Sequence, residues 1–375
     1  LSLRERWLRT KVRLIADPRF QRLCERLPLV RRRARSEAEA LFGITSGFVR
    51  SQILFAALDL GLLRALRAAP ATTPTLAADL ALKPGAADRL LRACEGLKLI
   101  RRDEAGCWAL DVAGAVVANN PGIEAMVMHH AMLYRDLADP VRLLRAGQDE
   151  APTEIAGFWA YAGKTGDAAV GQLPARAYSD LMALSQDLIT REVLAGYGFG
   201  KHRVVADLGG GDGSFLRAVA DRFDHVRLIL VDLPAVAALA QERFDASGLA
   251  LRAEALGGDF FRTPPPAEAD CVTLIRVLCD HDDGAVRTLL TNLRRGAKPG
   301  TTLVIAEPMA GSSPGASAAA AYFSFYFQAM GAGRCRHPQE ICTLLTEAGF
   351  ERPKLRSAAM PLFAQIITAR VPSRG

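Results

Sequence analysis

The sequence lacks the features of several common protein classes. Its seven cysteines include no C-x-x-C pair, which argues against a disulfide framework or a zinc site and suits a reducing cytosol. The longest charge-free run, 308–333, contains Pro314 and several glycines and serines, so it fails as a continuous apolar helix of about 20 residues. The first residues are charged, with no apolar core of a secretory signal. We therefore expect a cytoplasmic protein with no bound metal.

The basic excess of the chain is concentrated at one end. Residues 1–35 hold 12 of the 47 basic groups and three of the 40 acidic groups, a net charge of +9, whereas the remaining residues carry a net charge of −2. Apolar residues, among them Trp7 and Phe20, are interleaved with these charges. The pattern fits an interfacial helix attracted to anionic headgroups, and equally a solvated or dimer-packing helix. Nucleic acid is not an expected partner, because the nearly neutral body lacks a broad basic face.

An apolar run that ends in closely spaced glycines is the most informative stretch. Residues 204–208 read as a strand ending with Asp207 and Leu208, and Gly209, Gly211 and Gly213 follow. A dinucleotide fingerprint would place a glycine at position 214, which is Ser214, and no Gly-Lys-Ser/Thr ending of a phosphate loop is present. The glycines therefore predict a cofactor loop without naming the cofactor.

Acidic and aromatic residues follow the later predicted strands. The apolar run 228–231 ends in Asp232, where a carboxylate can accept hydrogen bonds from two ribose hydroxyls. Asp259 and Phe260, in a Gly-Gly-Asp-Phe element, suit an adenine amino group and ring face. A further strand, 270–275, opens into the segment 276–283. The order fits a nucleotide or S-adenosylmethionine, and these later features favour the second.

With these elements in order, the chain resembles the class I methyltransferases, specifically the O-methyltransferase family of plant phenylpropanoid and bacterial polyketide and pigment enzymes. The resemblance implies an α/β fold, with a C-terminal Rossmann-like methyltransferase sheet and an N-terminal, mainly helical, winged-helix-like dimerisation domain. It implies a homodimer and S-adenosyl-L-methionine as cofactor. The cofactor-binding residues that it implies are Asp207, Gly209, Gly211, Asp232, Leu233, Gly258, Asp259, Phe260 and Arg276.

The chain departs from this family where the catalytic base is expected. Cys279 stands where the family carries its general-base histidine, and His281 stands where it carries a tryptophan. A second family carboxylate falls on Cys335, whereas Glu307 keeps the family spacing. His281 and Glu307 are the remaining candidates for proton handling, and Cys279 is interpreted as a small neutral wall, since an unperturbed thiol of pKa about 8.5 is mostly protonated at neutral pH. This site suits an aliphatic alcohol that loses its proton only as the methyl group transfers.

Among bacterial branches, the resemblance is closest to the O-methyltransferases of carotenoid synthesis, of the hydroxyneurosporene and demethylspheroidene type, which methylate a tertiary hydroxyl at the end of a long polyene. The segments that carry it are 13–20, 279–281, 305–311 and 321–330. The implied substrate is lipophilic, and the basic arm is then expected to reach the inner or photosynthetic membrane. Two alternatives stay open: a C-methyltransferase of a bacteriochlorophyll precursor and an O-methyltransferase of a small aromatic or polyketide. Expected pocket residues are Phe158, Trp159, Met182, Tyr326 and Met330.

Four segments are predicted along the chain. They are a basic arm (1–36), a winged-helix-like dimerisation domain (37–115), a helical connector (116–190) and the methyltransferase domain (191–375). Apolar periodicity predicts a helix over 47–66, and a hairpin is expected over 100–110 with its turn near Gly106. The helices and hairpin outline a winged helix, which leaves a DNA-binding regulator as a distant alternative. His129 and His130 are adjacent and so are expected to face different sides of a helix, not to bind a metal together.

Overall fold

A computed structural model describes residues 2–20, 22, 28–150, 153–158, 189–311, 314–356 and 364–373. The chain divides into two compact units, Leu1–Asn119 and Asn120–Gly375. The predicted α/β fold class is confirmed, with a helical first unit and a Rossmann-like second unit. The finer division into four segments stays a prediction.

The first unit is mainly helical and contains one hairpin. Its helices are α1 (Leu3–Ala16), α2 (Pro28–Thr45), α3 (Gly47–Asp59), α4 (Leu62–Ala68), α5 (Thr73–Asp79), α6 (Pro84–Gly96) and α7 (Val112–Ala118). The antiparallel strands are β1 (Ile100–Arg102) and β2 (Trp108–Leu110). The hairpin matches the prediction, and Gly106 in its turn has a φ of 79°.

The helix predicted over 47–66 is interrupted. Gly61 adopts a φ of 77° between α3 and α4, a left-handed conformation that glycine reaches without steric cost. Apolar periodicity continues through the break because Leu58, Leu62 and Leu66 are all buried in the core of this unit. The pattern therefore located the buried face correctly but not the bend.

The second unit contains eight labelled helices and a seven-stranded sheet. The helices are α8 (Pro121–Asp136), α9 (Pro140–Glu150), α10 (Glu154–Phe158), α11 (Ser214–Arg222), α12 (Pro234–Ala246), α13 (Asp283–Gly296), α14 (Pro314–Met330) and α15 (Pro338–Glu347), and residues 189–196 are also helical. Short 3-10 helices lie at Phe199–Lys201 and Leu278–Asp280. The strands are β3 (Val204–Leu208), β4 (Arg227–Asp232), β5 (Ala253–Gly257), β6 (Cys271–Ile275), β7 (Thr302–Glu307), β8 (Glu351–Arg356) and β9 (Gln365–Arg370).

The sheet has the strand order β5-β4-β3-β6-β7-β9-β8. The strands from β5 to β7 are parallel, and β9 and β8 are antiparallel to their neighbours. The order reverses between β3 and β6, and a sheet of this kind binds ligands beside the carboxyl ends of its strands at such a point. The glycine loop after β3 and the turn after β6 meet there.

Both faces of the sheet are covered by apolar side chains. One buried cluster includes Val272 and Leu303, and the other includes Val205 and Leu230, which are all fully buried. Burial on both faces explains why the central strands read as continuous apolar runs. Strand β8, with the sequence Glu-Arg-Pro-Lys-Leu-Arg, lies mostly exposed at one edge, so its hydropathy gave no signal.

No single helix in the described segments combines the length and apolar character needed to cross a membrane. One pair passes that test only jointly, residues 34–45 with 47–59, and it is bent by 58°.

Candidate active site

The glycine loop brings its backbone close to side chains of neighbouring loops. Gly209 and Gly211 have φ values of 73° and 59°. A Cβ added at Gly209 would lie 3.0 Å from Val277 Cγ2 and 3.3 Å from Phe260 Cε1. Only glycine combines this left-handed backbone with this close approach. Glycine at position 209 therefore lets the loop pass close to Val277 and Phe260.

Asp232 ends β4 and is bound to the glycine loop. Its Oδ2 accepts a hydrogen bond of 2.8 Å from the Gly211 N–H, and its Oδ1 accepts one of 2.7 Å from the Leu233 N–H. Burial raises the pKa of this carboxyl to about 6, against the effect of the two backbone donors. Each oxygen keeps a further lone pair, so the carboxylate can accept hydrogen bonds from a pair of ribose hydroxyls.

Asp207 is the next-to-last residue of β3, the strand beside β4. It is 1% exposed, and its Oδ1 accepts a hydrogen bond of 2.5 Å from the Thr273 hydroxyl. Its Oδ2 has no partner within the described segments, and burial raises its pKa to about 7. A buried oxygen without a donor is costly unless a ligand supplies one. An ammonium group, such as that of an amino-acid moiety, is a donor that fits.

The loop after β5 supplies the predicted aromatic wall. The Gly258 N–H donates to the Asp232 carbonyl oxygen at 2.8 Å, and Asp259 Oδ1 accepts from the Phe261 N–H at 2.9 Å. The backbone of this loop is thus fixed to β4 and to itself. The Phe260 ring contacts the glycine loop and presents a flat apolar surface of the kind that an adenine ring stacks on.

The turn after β6 is fixed through its backbone. Arg276 has a φ of 58°, uncommon for a residue with a side chain, and its N–H donates to the Ala306 carbonyl at 2.8 Å. The Cys279 N–H donates to Glu307 Oε2 at 3.0 Å. Cys279 itself is 1% exposed, and burial raises the pKa of its thiol well above the ordinary range. Cys279 is therefore a neutral group.

Glu307 ends β7 beneath this turn. It is fully buried, and its Oε1 has no hydrogen-bond partner in the parts of the chain that are described. Burial raises its pKa to about 8, and the positive charge of Arg336 opposes that rise. Glu307 therefore contacts the turn through the hydrogen bond that its Oε2 accepts from the Cys279 N–H.

Arg336 holds the same turn from another side, and sequence reasoning missed it. The side chain is fully buried and donates to the carbonyl oxygens of Leu278, at 2.6 Å, and His281, at 2.7 Å. It also donates to Asp283 Oδ1 at 2.8 Å. Its position one residue after Cys335, where the family carries a carboxylate, was the available signal.

His281 lies on the cofactor side of the turn. Its ring centroid is 5.0 Å from that of Phe261 and 6.0 Å from that of Phe260, both in edge orientations. Burial lowers its pKa to about 4. The 3-10 turn that precedes it directs Cys279 and His281 into different surroundings. Two-residue spacing therefore does not return the imidazole to the place of the missing base, and its proton-handling role stays a prediction.

The predicted pocket residues that are described come together beside Cys279. One apolar cluster contains Cys279, Tyr326 and Met330, with Phe158 packed against it. Trp159 and Met182 lie outside the described residues. The cluster joins α8, α10 and α14 to the turn after β6, so it forms an apolar wall next to the predicted methyl-transfer position.

His129 and His130, expected to face different sides of a helix, both hydrogen-bond to one neighbouring helix. Both reach α14: His129 Nε2 lies 2.7 Å from Tyr326 Oη, and His130 Nε2 lies 2.7 Å from Tyr322 Oη. Adjacent residues on a helix diverge by about 100°, and two tyrosines one turn apart on the facing helix accommodate that divergence.

The residues present fit S-adenosylmethionine. The site combines a carboxylate for ribose hydroxyls (Asp232), an orphaned buried carboxylate oxygen for an ammonium group (Asp207) and an aromatic surface for adenine (Phe260). All three stand around the glycine loop, where a Cβ at Gly211 would meet no atom within 4 Å.

Comparisons with known proteins agree with this geometry. The chain matches the O-methyltransferase domain over residues 134–351 and the O-methyltransferase dimerisation domain over residues 42–121. A demethylspheroidene O-methyltransferase of Cereibacter sphaeroides is 40% identical over 365 residues, which cover 97% of this chain and 95% of the relative. The protein of the same name from Rhodobacter capsulatus is 39% identical over 358 residues, covering 95% and 88%.

Among solved structures, human N-acetylserotonin methyltransferase in complex with SAM superposes with a TM-score of 0.75 at 22% identity. The match covers 90% of this chain and 98% of the human chain, which shows a shared fold. Together with the two domain matches and the bacterial relatives, this establishes that the chain belongs to the O-methyltransferase family.

Proposed function

We propose that this chain is an S-adenosylmethionine-dependent O-methyltransferase that methylates the tertiary hydroxyl of a hydroxycarotenoid. The observation that carries the proposal is the buried, neutral Cys279 at the position of the family's base, beside an apolar cluster. An acidic phenol needs no such departure, whereas a tertiary alcohol gains little from a base before its oxygen attacks. The demethylspheroidene O-methyltransferases at 40% and 39% identity support this substrate class.

The cofactor, when bound, supplies an electrophilic methyl group on a sulfonium sulfur. Asp232 binds the ribose hydroxyls, with Leu233 beside it, and Asp207 accepts from the ammonium group. The loop residues Gly209, Gly211 and Gly258 admit the ligand to the backbone. Asp259 and Phe260 bind the adenine, and Arg276 lies near the adenosine.

The chain contributes alignment and exclusion of water on the acceptor side. The cluster of Phe158, Tyr326 and Met330 binds the apolar polyene end. The sequence adds Trp159 and Met182 as further pocket candidates. Holding the acceptor oxygen in line with the methyl carbon and sulfur accounts for much of the expected rate gain. Glu307 is retained as a candidate for proton handling, although its contact with the turn backbone favours positioning.

The dimerisation domain supports a homodimer. The four-segment organisation, with a basic arm over 1–36, a dimerisation domain over 37–115, a connector over 116–190 and a methyltransferase domain over 191–375, is part of the proposal.

Peripheral membrane association is proposed through α1. This helix buries none of its residues, and Leu3, Trp7 and Val12 are 84%, 63% and 60% exposed. Five basic residues and one acidic residue share the same 14-residue helix. An exposed helix that mixes apolar and basic residues binds anionic lipid surfaces. A vesicle flotation assay tests this association. The protein should float with phosphatidylglycerol vesicles but not with phosphatidylcholine vesicles, and Trp7→Ser should lose that binding. Equal flotation with both lipids would contradict the proposal.

The test of the activity uses purified full-length protein, S-adenosylmethionine labelled in its methyl group, and hydroxycarotenoid dispersed in detergent. We expect label in the carotenoid band, as an alkali-stable methyl ether. Asp232→Asn should lose cofactor binding in equilibrium dialysis and transfer together. Asp224→Asn is the matched control. This carboxylate lies two residues after the end of α11 and is fully exposed, so the variant should behave as wild type.

The other outcomes each favour a different function. Label found only in a chlorin would support carbon methylation, and label found only in a phenol would support an aromatic acceptor. Cofactor binding without transfer to any of these, together with salt-dependent binding to duplex DNA, would favour the regulator.

A further inference from the structure

Two parallel hydrogen bonds connect α8 to α14 next to the acceptor wall. Adjacent histidines on α8, His129 and His130, pair with tyrosines one turn apart on α14, Tyr326 and Tyr322, each at 2.7 Å. Neither pair is explained by the family departures at position 279. A single buried histidine–tyrosine bond would be sufficient to join two helices, so the second pair invites a separate explanation.

The two pairs differ in accessibility. His129 and Tyr326 are 9% and 7% exposed, so this pair belongs to the core. His130 and Tyr322 are both partly exposed. Only the second pair thus keeps surface that a ligand can touch. Its hydrogen bond is flanked by two further rings: the Tyr134 centroid lies 6.1 Å from that of His130, and the Tyr326 centroid lies 5.9 Å from that of Tyr322.

The accessible pair lies beside the reaction centre. Tyr322 packs against the apolar cluster that contains Cys279. It is also close enough to Arg276, the first residue after β6, for that positive charge to act on its hydroxyl. Tyr322 therefore lies on the part of α14 that packs near the turn where the acceptor oxygen is expected, and its hydroxyl is hydrogen-bonded to His130.

We propose that Tyr322 and His130 together bind the acceptor hydroxyl and take its proton, in place of the histidine that is missing at position 279. This assignment rests on the proposed function. As the bond between the acceptor oxygen and the methyl carbon forms and the bond from that carbon to sulfur breaks, the acceptor proton moves to Tyr322 Oη. The phenolic proton moves at the same time from Tyr322 Oη to His130 Nε2. The products are a methyl ether, the neutral thioether and an imidazolium, which later loses its proton to water.

The electrostatics of the pair agree with this direction of transfer. Burial lowers the pKa of His130, so the imidazole is neutral at rest and able to accept a proton. Burial raises the pKa of Tyr322, so the phenol stays protonated and relays a proton without becoming a stable phenolate. The groups that face the pair are His129 and Tyr134 on α8, Tyr326 on α14 and Arg276 after β6.

The test measures single turnovers at saturating cofactor and hydroxycarotenoid as a function of pH. Tyr322→Phe removes the hydroxyl and keeps the ring, and it should slow methyl transfer by about 100-fold or more. His130→Gln keeps a hydrogen-bonding partner but no base. It should lower the transfer rate and abolish the fall in rate at acid pH that protonation of His130 causes in the wild type.

Tyr197→Phe is the matched control. Tyr197 Oη lies 2.8 Å from His202 Nε2 in a buried pair of the same kind, packed in the other core cluster away from the turn. It should lose similar thermal stability and keep wild-type transfer and pH dependence. If the wild type methylates hydroxycarotenoid but Tyr322→Phe has the same transfer rate and pH dependence as Tyr197→Phe, the role assigned to Tyr322 and His130 is overturned and the proposed function stands. A wild type that transfers no label to hydroxycarotenoid would overturn the proposed function and this assignment with it.

Discussion

Replacement of Glu307 by glutamine separates a positioning role from a proton-handling role. Burial raises the pKa of this carboxyl from 4.5 to about 8 in the folded protein. The folded state therefore binds the proton more tightly than the unfolded state, so the side chain costs no stability below pH 4.5 and costs progressively more as the pH rises to 8. At about 1.36 kcal/mol per pKa unit, the cost is about 3 kcal/mol at pH 7 and about 5 kcal/mol at pH 9. Glutamine does not ionise and avoids it.

The assay is urea unfolding of wild type and Glu307→Gln at pH 4, 7 and 9. The stability difference should move by about 5 kcal/mol in favour of the variant between the extremes, whatever constant offset the amide introduces. The amide oxygen still accepts from the Cys279 N–H, so methyl transfer should stay within about tenfold of wild type. Glu347→Gln, at an exposed carboxylate, should show a shift below about 1 kcal/mol. A stability difference that does not change with pH, with transfer reduced by about 100-fold or more, would refute the reasoning and restore Glu307 as a proton carrier.

Two further contrasts test the turn and the loop. Arg336→Met leaves two buried carbonyls without their donor and should lower the free energy of unfolding in urea by about 3–5 kcal/mol. Arg334→Met, at a half-exposed side chain, should lower it by at most about 1 kcal/mol. Equal losses would contradict the inference that Arg336 holds the turn. Gly213→Ala places a Cβ 2.6 Å from the Phe244 ring at a φ of +77° and should cost about 2–5 kcal/mol. Gly248→Ala, at a φ of +70° with open space around it, should cost only about 1–2 kcal/mol, and calorimetry that finds the two variants alike would rule out the ring contact.

The residues proposed to bind the cofactor could be found from the sequence because each lies in a short recognisable segment. Asp207 is the next-to-last residue of β3 and Asp232 is the last residue of β4, and the carboxyl ends of parallel strands meet at one edge of a sheet. The hydrogen bond from the Gly211 N–H to Asp232 shows that the loop after β3 and the end of β4 do meet at that edge. Short-range pattern and topology were sufficient, and no knowledge of packing was required.

The acceptor half depends on contacts that are remote in sequence. His130 meets Tyr322 across 192 residues, and Arg336 reaches Leu278 across 58. The adjacency of the two histidines suggested that they point apart, and only the facing helix shows that both form hydrogen bonds to it. The bend at Gly61 escaped prediction for a related reason, since apolar periodicity reports which face is buried and not whether the axis is continuous.

The turn over Leu278–His281 is held by main-chain atoms: Glu307 accepts from the amide of residue 279, and Arg336 donates to the carbonyls of residues 278 and 281. None of these three hydrogen bonds uses the side chain at position 279. A substitution there would therefore leave all three hydrogen bonds available. The fold thus separates the backbone contacts that hold this turn from the side chain that the turn presents at position 279, so the residue there can vary while those contacts are kept.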